Sequence, residues 1–492
     1  MFKDECVDKL KVQRPVKEEL HKLLSYNQLL SKISLLRYRF LNNNPDLNYY
    51  LIRIKVKGIT SKNLDFISLI NLYIYNDMKE LYPICRSLTG SGTEYTLEYI
   101  KKNIPINIHK IKSGTDVFDW KIPKEWNIKN AYIKNSKGEK ILDLKNHYLH
   151  VLNYSIPINK KITLEELKKH IYTLPEFPDW IPYRTSYYQE NWGFCMRHNN
   201  FLKLEDDIYE ILIDTTLEDG YLLYGDLIIK GQTEKEILIS SYCCHPQQCN
   251  DSLSGTVLAM YLAKYLLNKD NYYTYRFIFI PETIGAIAYL SKNIDVMKKN
   301  VIGGYVLTCV GDEGEFTYLK TRKENQFIDK ITLFLLEQSG LSYKIRDFHT
   351  CGSDERQYNY PGIDLNIGSL MKSKYGEFNE YHTSADNLDF VTPKGLGDTY
   401  EFYIKCLHLI EQNHYYMNTK LCEPMLGKYG LYNLVGALKN MNGNIGENCC
   451  KILYYCDGKH DLIDISNKIN IKIDEIIIIL NKLIENKLIK KY

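Results

Sequence analysis

Between Ile208 and Ile410 the chain alternates between two periodicities, and few folds accept that alternation. Short runs rich in β-branched and aromatic residues, Ile237–Ser241, Arg276–Ile280, Ile302–Leu307 and Asp364–Ile367, read as strands. Longer runs of helical spacing cover 253–268, 283–299, 324–339 and 396–412. Strands this apolar are buried on both faces, which calls for helices on each side of a largely parallel sheet. The expectation is an α/β fold with a three-layer α/β/α domain. In such sheets ligands bind in the crevice outside the carboxyl ends of the strands. Residues just past each strand are therefore where chemistry is expected.

At 492 residues the chain exceeds one hydrophobic core, and its patterning changes along its length. Residues 1–62 read as a polar N-terminal extension, helical in pattern from Val16 to Leu36. Helical spacing dominates 63–105, and short strands and turns take over from Ile106 to Leu204. All four tryptophans, Trp120, Trp126, Trp180 and Trp192, lie in that second stretch. Residues 106–204 are thus expected to be a β-rich module inserted into an α/β domain made of 63–105 and 205–418. The aromatic stretch Tyr183–Phe194 reads either as core of that module or as a wall of a substrate cleft.

Residues 426–492 suit a winged helix, with helices over Asn448–Cys456, Leu462–Asn470 and Asp474–Asn486 and a turn at Asp457-Gly458-Lys459. The last helix opens with Asp474-Glu475 and continues through a run of isoleucines. Base reading would need Arg, Lys, Asn or Gln there, so nucleic acid is not the expected partner. Packing onto the enzyme body, a second copy or another protein is expected instead.

With 63 basic and 60 acidic residues the chain has no strong attraction to nucleic acid or an anionic membrane. No apolar run approaches the roughly 18 residues of a membrane span. The start Met-Phe-Lys-Asp-Glu-Cys lacks a signal-peptide pattern, and thirteen irregularly spaced cysteines suggest reduced thiols and a cytoplasmic setting. Neither Cys243-Cys244 nor Cys449-Cys450 has the spacing of a structural zinc cluster.

The first strand run leads into Cys243-Cys244-His245-Pro246-Gln247-Gln248-Cys249-Asn250-Asp251-Ser252-Leu253-Ser254-Gly255. His245 falls past the strand end and Asp251 at the mouth of the next helix. Pro246 stiffens the turn, and Gly255 lets the helix approach the sheet. Taken alone, Asp251 reads equally well as a helix cap. Glu282 follows the strand Arg276–Ile280, placed to act as a general base or to cap the next helix through its dipole.

Arg356, in Gly352-Ser353-Asp354-Glu355-Arg356-Gln357-Tyr358, offers a planar fork for a substrate carboxylate or a developing oxyanion. Asp354 beside it is the second expected substrate-binding residue, and a surface salt bridge with Asp354 or Glu355 is the plainer reading of Arg356. His382 sits among small and polar residues before a helix, as a metal ligand would; His349 is a weaker candidate. His245, Asp251 and His382 together supply enough ligands for one catalytic Zn²⁺ while leaving a position for water. Glu282 would take the proton of that water as it attacks an amide carbonyl. The loop Pro83-Ile84-Cys85-Arg86-Ser87-Leu88-Thr89-Gly90-Ser91-Gly92 lacks the phosphate-loop pattern and reads as a structural or substrate-rim loop.

At these residues the chain resembles the zinc aminopeptidase superfamily that includes the glutaminyl cyclases. Asn250-Asp251-Ser252-Leu253-Ser254-Gly255 is similar to its segment carrying the metal-bridging Asp, and Glu282 with Gly285 falls where its general-base motif sits. Ser353-Asp354 with Pro361-Gly362-Ile363 resembles a later segment, and His382 matches the last histidine ligand. A closer resemblance is to a bacterial family of unknown function with an aminopeptidase-like domain, often associated with surface-polysaccharide biosynthesis. Cys244-His245-Pro246, Arg86-Ser87-Leu88-Thr89-Gly90, Ile181–Tyr188, Trp192–Cys195, Gly352–Tyr358 and Glu380–Asp386 carry it, over roughly residues 65 to 492.

The resemblance implies a two-metal ancestry from which this chain departs. Thr283 stands where a Glu ligand is usual, Thr308 where an Asp ligand is usual, and Gln247 replaces the Asp two residues after the first histidine. One zinc is implied in place of two. The combined expectation is a zinc-dependent hydrolase of the aminopeptidase type, cleaving an amide bond in a small peptide or N-acylated substrate. The alternative is a non-catalytic binding protein acting through its winged helix.

Overall fold

The computed structural model describes residues 66–187, 189–348, 352–431 and 445–491. The N-terminal extension expected over 1–62 and the weaker candidate His349 lie outside the described residues. The chain from Phe66 onward forms one compact unit.

Eight strands build the main sheet: β1 (Asn107–Lys112), β2 (Tyr221–Ile229), β3 (Glu236–Tyr242), β4 (Thr274–Ile280), β5 (Val301–Val306), β6 (Phe316–Leu319), β7 (Tyr343–Arg346) and β8 (Ile367–Met371). Their order is β1-β2-β4-β3-β5-β8-β6-β7. The four central strands, β4, β3, β5 and β8, are parallel. Toward the edges β1, β2 and β6 join antiparallel, so the sheet is mixed where a largely parallel one was expected. The expected strand at Asp364–Ile367 begins later, at Ile367; Asp364 and Asn366 have positive φ and so cannot extend it.

Alternation along each strand feeds two cores. Ile237, Ile239, Tyr275, Phe277 and Phe279 point to one face, where α1 (Phe66–Leu81), α2 (Ser91–Asn103), α3 (Gly255–Leu266), α5 (Phe327–Ser339) and α6 (Pro393–Gln412) pack. Leu238, Tyr242, Ile278 and Ile280 point to the other, covered by α4 (Ile284–Asn300). Helices on both faces make the three-layer architecture that the strand–helix alternation requires.

The inserted module has its own antiparallel sheet, in the order 140–143, 125–134, 208–218, 158–163, and its own core around Trp192, Phe194 and Ile211. Its edges differ from 106–204. Asn107–Lys112 pairs with β2 in the main sheet, whereas Ile208–Glu218 pairs with module strands. The crossings therefore fall near Ser113 and Gly220, where the Ser113 N–H donates to the Gly220 carbonyl at 2.9 Å. Period-two patterning is the same on both sides of each crossing, so only pairing reveals it.

The C-terminal unit has α7 (Ile445–Tyr455), α8 (Leu462–Ile469) and α9 (Ile473–Glu485) with a three-stranded sheet of Tyr415–Asn418, Asp457–Asp461 and Ile489–Lys491, a winged helix. It begins at Tyr415, earlier than 426, because that strand pairs with both wing strands; the expected turn at 457–459 starts one of them. Lys330 on α5 donates to Asp461 at 2.7 Å and to Asp464 at 2.6 Å, and one apolar core runs through both units. Among the described residues, no helix is long and apolar enough to cross a membrane.

Candidate metal centre

The parallel strands end together, and their last residues and following loops build the centre. From β3 the chain turns through His245, which is 4% exposed, into a kinked turn, Cys249–Ser254, ahead of α3. Asp251 breaks helical geometry inside that turn at φ −106°, ψ 95°, and is 1% exposed. Gly255 closes the turn against the end of β5; a Cβ there would lie 2.0 Å from the Leu307 carbonyl oxygen.

His245, Asp251 and His382 each place a ligand atom within 4.8 Å of the others. Asp251 Oδ2 lies 3.1 Å from His382 Nε2 and 3.8 Å from His245 Nε2. His382 Nε2 is shielded from solvent yet makes no hydrogen bond. Two imidazole nitrogens and one carboxylate oxygen facing a common point, with a buried lone pair left over, fit a zinc ion. Asp251 Oδ1 is differently placed: the Tyr242 hydroxyl donates to it at 2.7 Å, and Thr308 Oγ1 lies 3.4 Å from it and 2.8 Å from that hydroxyl.

Asp386 fixes the turn from below. It is fully buried and accepts the N–H groups of Cys249, Asn250 and Asp251 at 3.2, 2.6 and 2.9 Å. Four residues after His382, it joins the two ligand-bearing loops. Tyr381 stacks on His382 with ring centroids 3.9 Å apart, and Tyr183 from the inserted module lies 5.2 Å from His245 and 5.1 Å from His382.

Glu282, after β4, is 28% exposed, between buried His245 and Asp251 and the 36% exposed His382. Its Oε2 lies 3.8 Å from His245 Nε2, and Ser353 donates to its Oε1 at 2.8 Å. Burial raises the Glu282 carboxyl above its ordinary value and the Asp251 charge adds to this, against the pull of His245. Burial opposes ionisation of Asp251 as well, but His245, His382 and the Tyr242 hydroxyl overcome it and hold that carboxyl low. Two carboxylates with separated affinities for a proton suit separate roles as ligand and base.

Two expected substrate residues land differently. Asp354, expected to contact substrate, is fully buried and accepts the Thr283 N–H at 2.7 Å. It supports the base loop, where Thr283 holds an unusual φ of +62°. Arg356 is half-buried and donates to Thr283 Oγ1 at 2.7 Å, with no ion pair to Asp354 or Glu355 among the described residues; its Nε is buried without a partner. Gln247 accepts the Tyr148 N–H at 2.7 Å and so anchors the module. Tyr242, Ser353 and Asp386 carry no role in the sequence reading; the spacing of Asp386 from His382 was the one available signal.

Comparisons place this geometry among known proteins. The family model for a domain of unknown function (DUF4910) matches residues 75–413, and one for a winged helix-turn-helix matches 414–491. A Clostridium acetobutylicum protein named for polysaccharide biosynthesis and an aminopeptidase-like domain is 50% identical over 396 residues, 80% of this chain and 91% of that one. The crystal structure of a candidate peptidase from Clostridium acetobutylicum matches with a TM-score of 0.80 at 47% identity, over 87% of this chain and 97% of that one. A zinc aminopeptidase from Bacillus subtilis shares the fold, with a TM-score of 0.51 at 12% identity over 69% of this chain and 94% of that one. The chain belongs to the DUF4910 family, whose aminopeptidase-like domain is followed here by a winged helix-turn-helix.

Proposed function

We propose that this protein is a cytoplasmic one-zinc hydrolase of the aminopeptidase type, cleaving an amide bond in a small peptide or N-acylated substrate. The observation that carries this reading is the convergence of His245, Asp251 and His382 within 4.8 Å, with Glu282 beside them. Zinc bound there would supply Lewis acidity and lower the pKa of its water. Glu282 accepts the proton of the attacking water and returns it to the leaving nitrogen, the task its raised proton affinity suits. Ser353 keeps Oε1 engaged so that Oε2 faces the histidines. Arg356 braces the Glu282–Thr283 turn through Thr283 Oγ1, and its half-buried guanidinium is the group we assign to an anionic part of the substrate. A role in surface-polysaccharide biosynthesis would make an N-acylated sugar one such substrate; the name of the Clostridium relative supports that choice.

Thr283 and Thr308 at positions of metal ligands favour a second reading, a non-catalytic binding protein that recruits a protein partner or a second copy through its winged helix. Metal analysis of protein purified without chelator separates the two. About one equivalent of zinc, lost on His245→Ala or His382→Ala, is expected of the enzyme. Metal-free protein at micromolar zinc would sink it.

A further inference from the structure

The loop Arg86-Ser87-Leu88-Thr89-Gly90 has no part in the reaction above, yet it is one of the most buried polar stretches described. Arg86 is 1% exposed. Its Nε donates to the His245 carbonyl at 2.9 Å and its Nη1 to the Leu81 carbonyl, while Nη2 is buried without a partner. Among the described residues it makes no ion pair with a carboxylate; the ionisable side chains acting on it include the thiols of Cys243, Cys249, Cys85 and Cys244, the Tyr82 hydroxyl and the His245 ring. A guanidinium sealed away from water without a counter-charge is a costly way to satisfy two carbonyls. A core built for stability alone is as well served by an apolar side chain.

What the guanidinium secures is the backbone of a candidate ligand. Metal-bound histidines are ordinarily oriented through their second ring nitrogen by a carboxylate or carbonyl. Among the described residues His245 has no such partner: its Nδ1 faces Cys244 Sγ, at 3.7 Å. Its direction is therefore set by its main chain, and Arg86 grips that main chain at the carbonyl.

The loop itself cannot drift, because the inserted module holds it. Ser87 Oγ donates to Asn153 Oδ1 at 2.6 Å, Thr89 Oγ1 lies 2.7 Å from the Tyr154 hydroxyl, and the Trp126 N–H donates to Thr89 Oγ1 at 2.9 Å. Gly90 has φ +90°, and a Cβ on it would lie 2.1 Å from the Trp126 carbonyl oxygen. The module grips the other histidine too, through the Tyr183 N–H to the His382 carbonyl at 2.7 Å.

We infer that Arg86 is a positioning residue of the metal centre, which fixes His245 through its carbonyl and ties that ligand to the inserted module. This rests on the one-zinc reading above.

The test is zinc titration of the full chain against a competing chelator, with melting of the metal-free protein alongside. Arg86→Met should weaken zinc affinity by about 10–100-fold, the usual effect of removing a partner that orients a ligand. Arg86→Lys, which keeps the charge but presents its donors from a single nitrogen, should recover part of the loss. Leu97→Ala, a cavity in the remote α2 core, should lower the melting temperature and leave zinc affinity unchanged.

Affinity within about twofold of wild type for both Arg86 variants overturns the inference. So does a loss no larger than that of Leu97→Ala. If Arg86→Met does not fold, Arg86→Lys decides: affinity about fivefold or more below wild type at an unchanged melting temperature supports the role, and equal affinity overturns it. Failure of both to fold assigns Arg86 to the core and also overturns it. Wild type that binds no zinc refutes the metal reading itself, whereas wild type and Arg86→Met binding equally well refute only the role of Arg86.

Discussion

The two oxygens of Asp251 face two different surroundings. Oδ2 looks toward His245 and His382, one of them with a buried nitrogen free of hydrogen bonds. Oδ1 looks toward hydroxyls, with Tyr242 donating to it and Thr308 behind. A carboxylate that bridges two metals must offer an open lone pair on each side. Here one side is open and the other is closed by a hydrogen bond, an arrangement that suits the single zinc we propose.

Three substitutions test that contrast. The largest effect is expected on the open side: Glu282→Gln should keep the zinc and lower kcat on a screened amide substrate by about 10²–10⁴-fold. Metal analysis together with turnover reads this directly, and retained turnover would remove Glu282 as the base. Next is the support shared by both sides. Asp386→Asn replaces the acceptor of the Asp251 N–H with an amide NH₂ and should weaken zinc binding by about 10–100-fold. A chelator competition showing unchanged affinity would reduce Asp386 to an ordinary loop cap.

The smallest effect belongs to the closed side. Tyr242→Phe removes one hydrogen bond to Asp251 while Thr308 Oγ1 stays 3.4 Å from the same oxygen, so the loss should be about 0.5–1.5 kcal/mol, about tenfold at most, with the fold otherwise kept. One equivalent of zinc should remain, bound less tightly, since no further ligand is created. A second equivalent in that variant would show that the tyrosine alone excludes another ion.

A similar contrast separates what periodicity reveals from what it hides. The expected helices over 283–299 and 324–339 match α4 and α5 closely, because each buries a continuous apolar stripe. The limits of the inserted module are hidden from periodicity, since Asn107–Lys112 and Ile208–Glu218 have strand patterns that fit either sheet. Asp354 shows a related gap between pattern and packing. A carboxylate in a polar loop reads as exposed, and only the packing of that loop beneath Thr283 buries it.

From residue order alone came the fold class, and with it the crevice at the strand ends where His245, Asp251, Glu282 and His382 all fall. Alternating apolar patterns dictate layers, and layers dictate where loops can gather. Tertiary structure alone decided which atoms meet. Tyr242 lies 66 residues from Thr308, Arg86 lies 159 from His245, and Asp386 lies 135 from Asp251. Contacts over such separations are set by strand order and register, which local patterning does not encode. The closed face of Asp251 and the grip of Arg86 on His245 follow from that register.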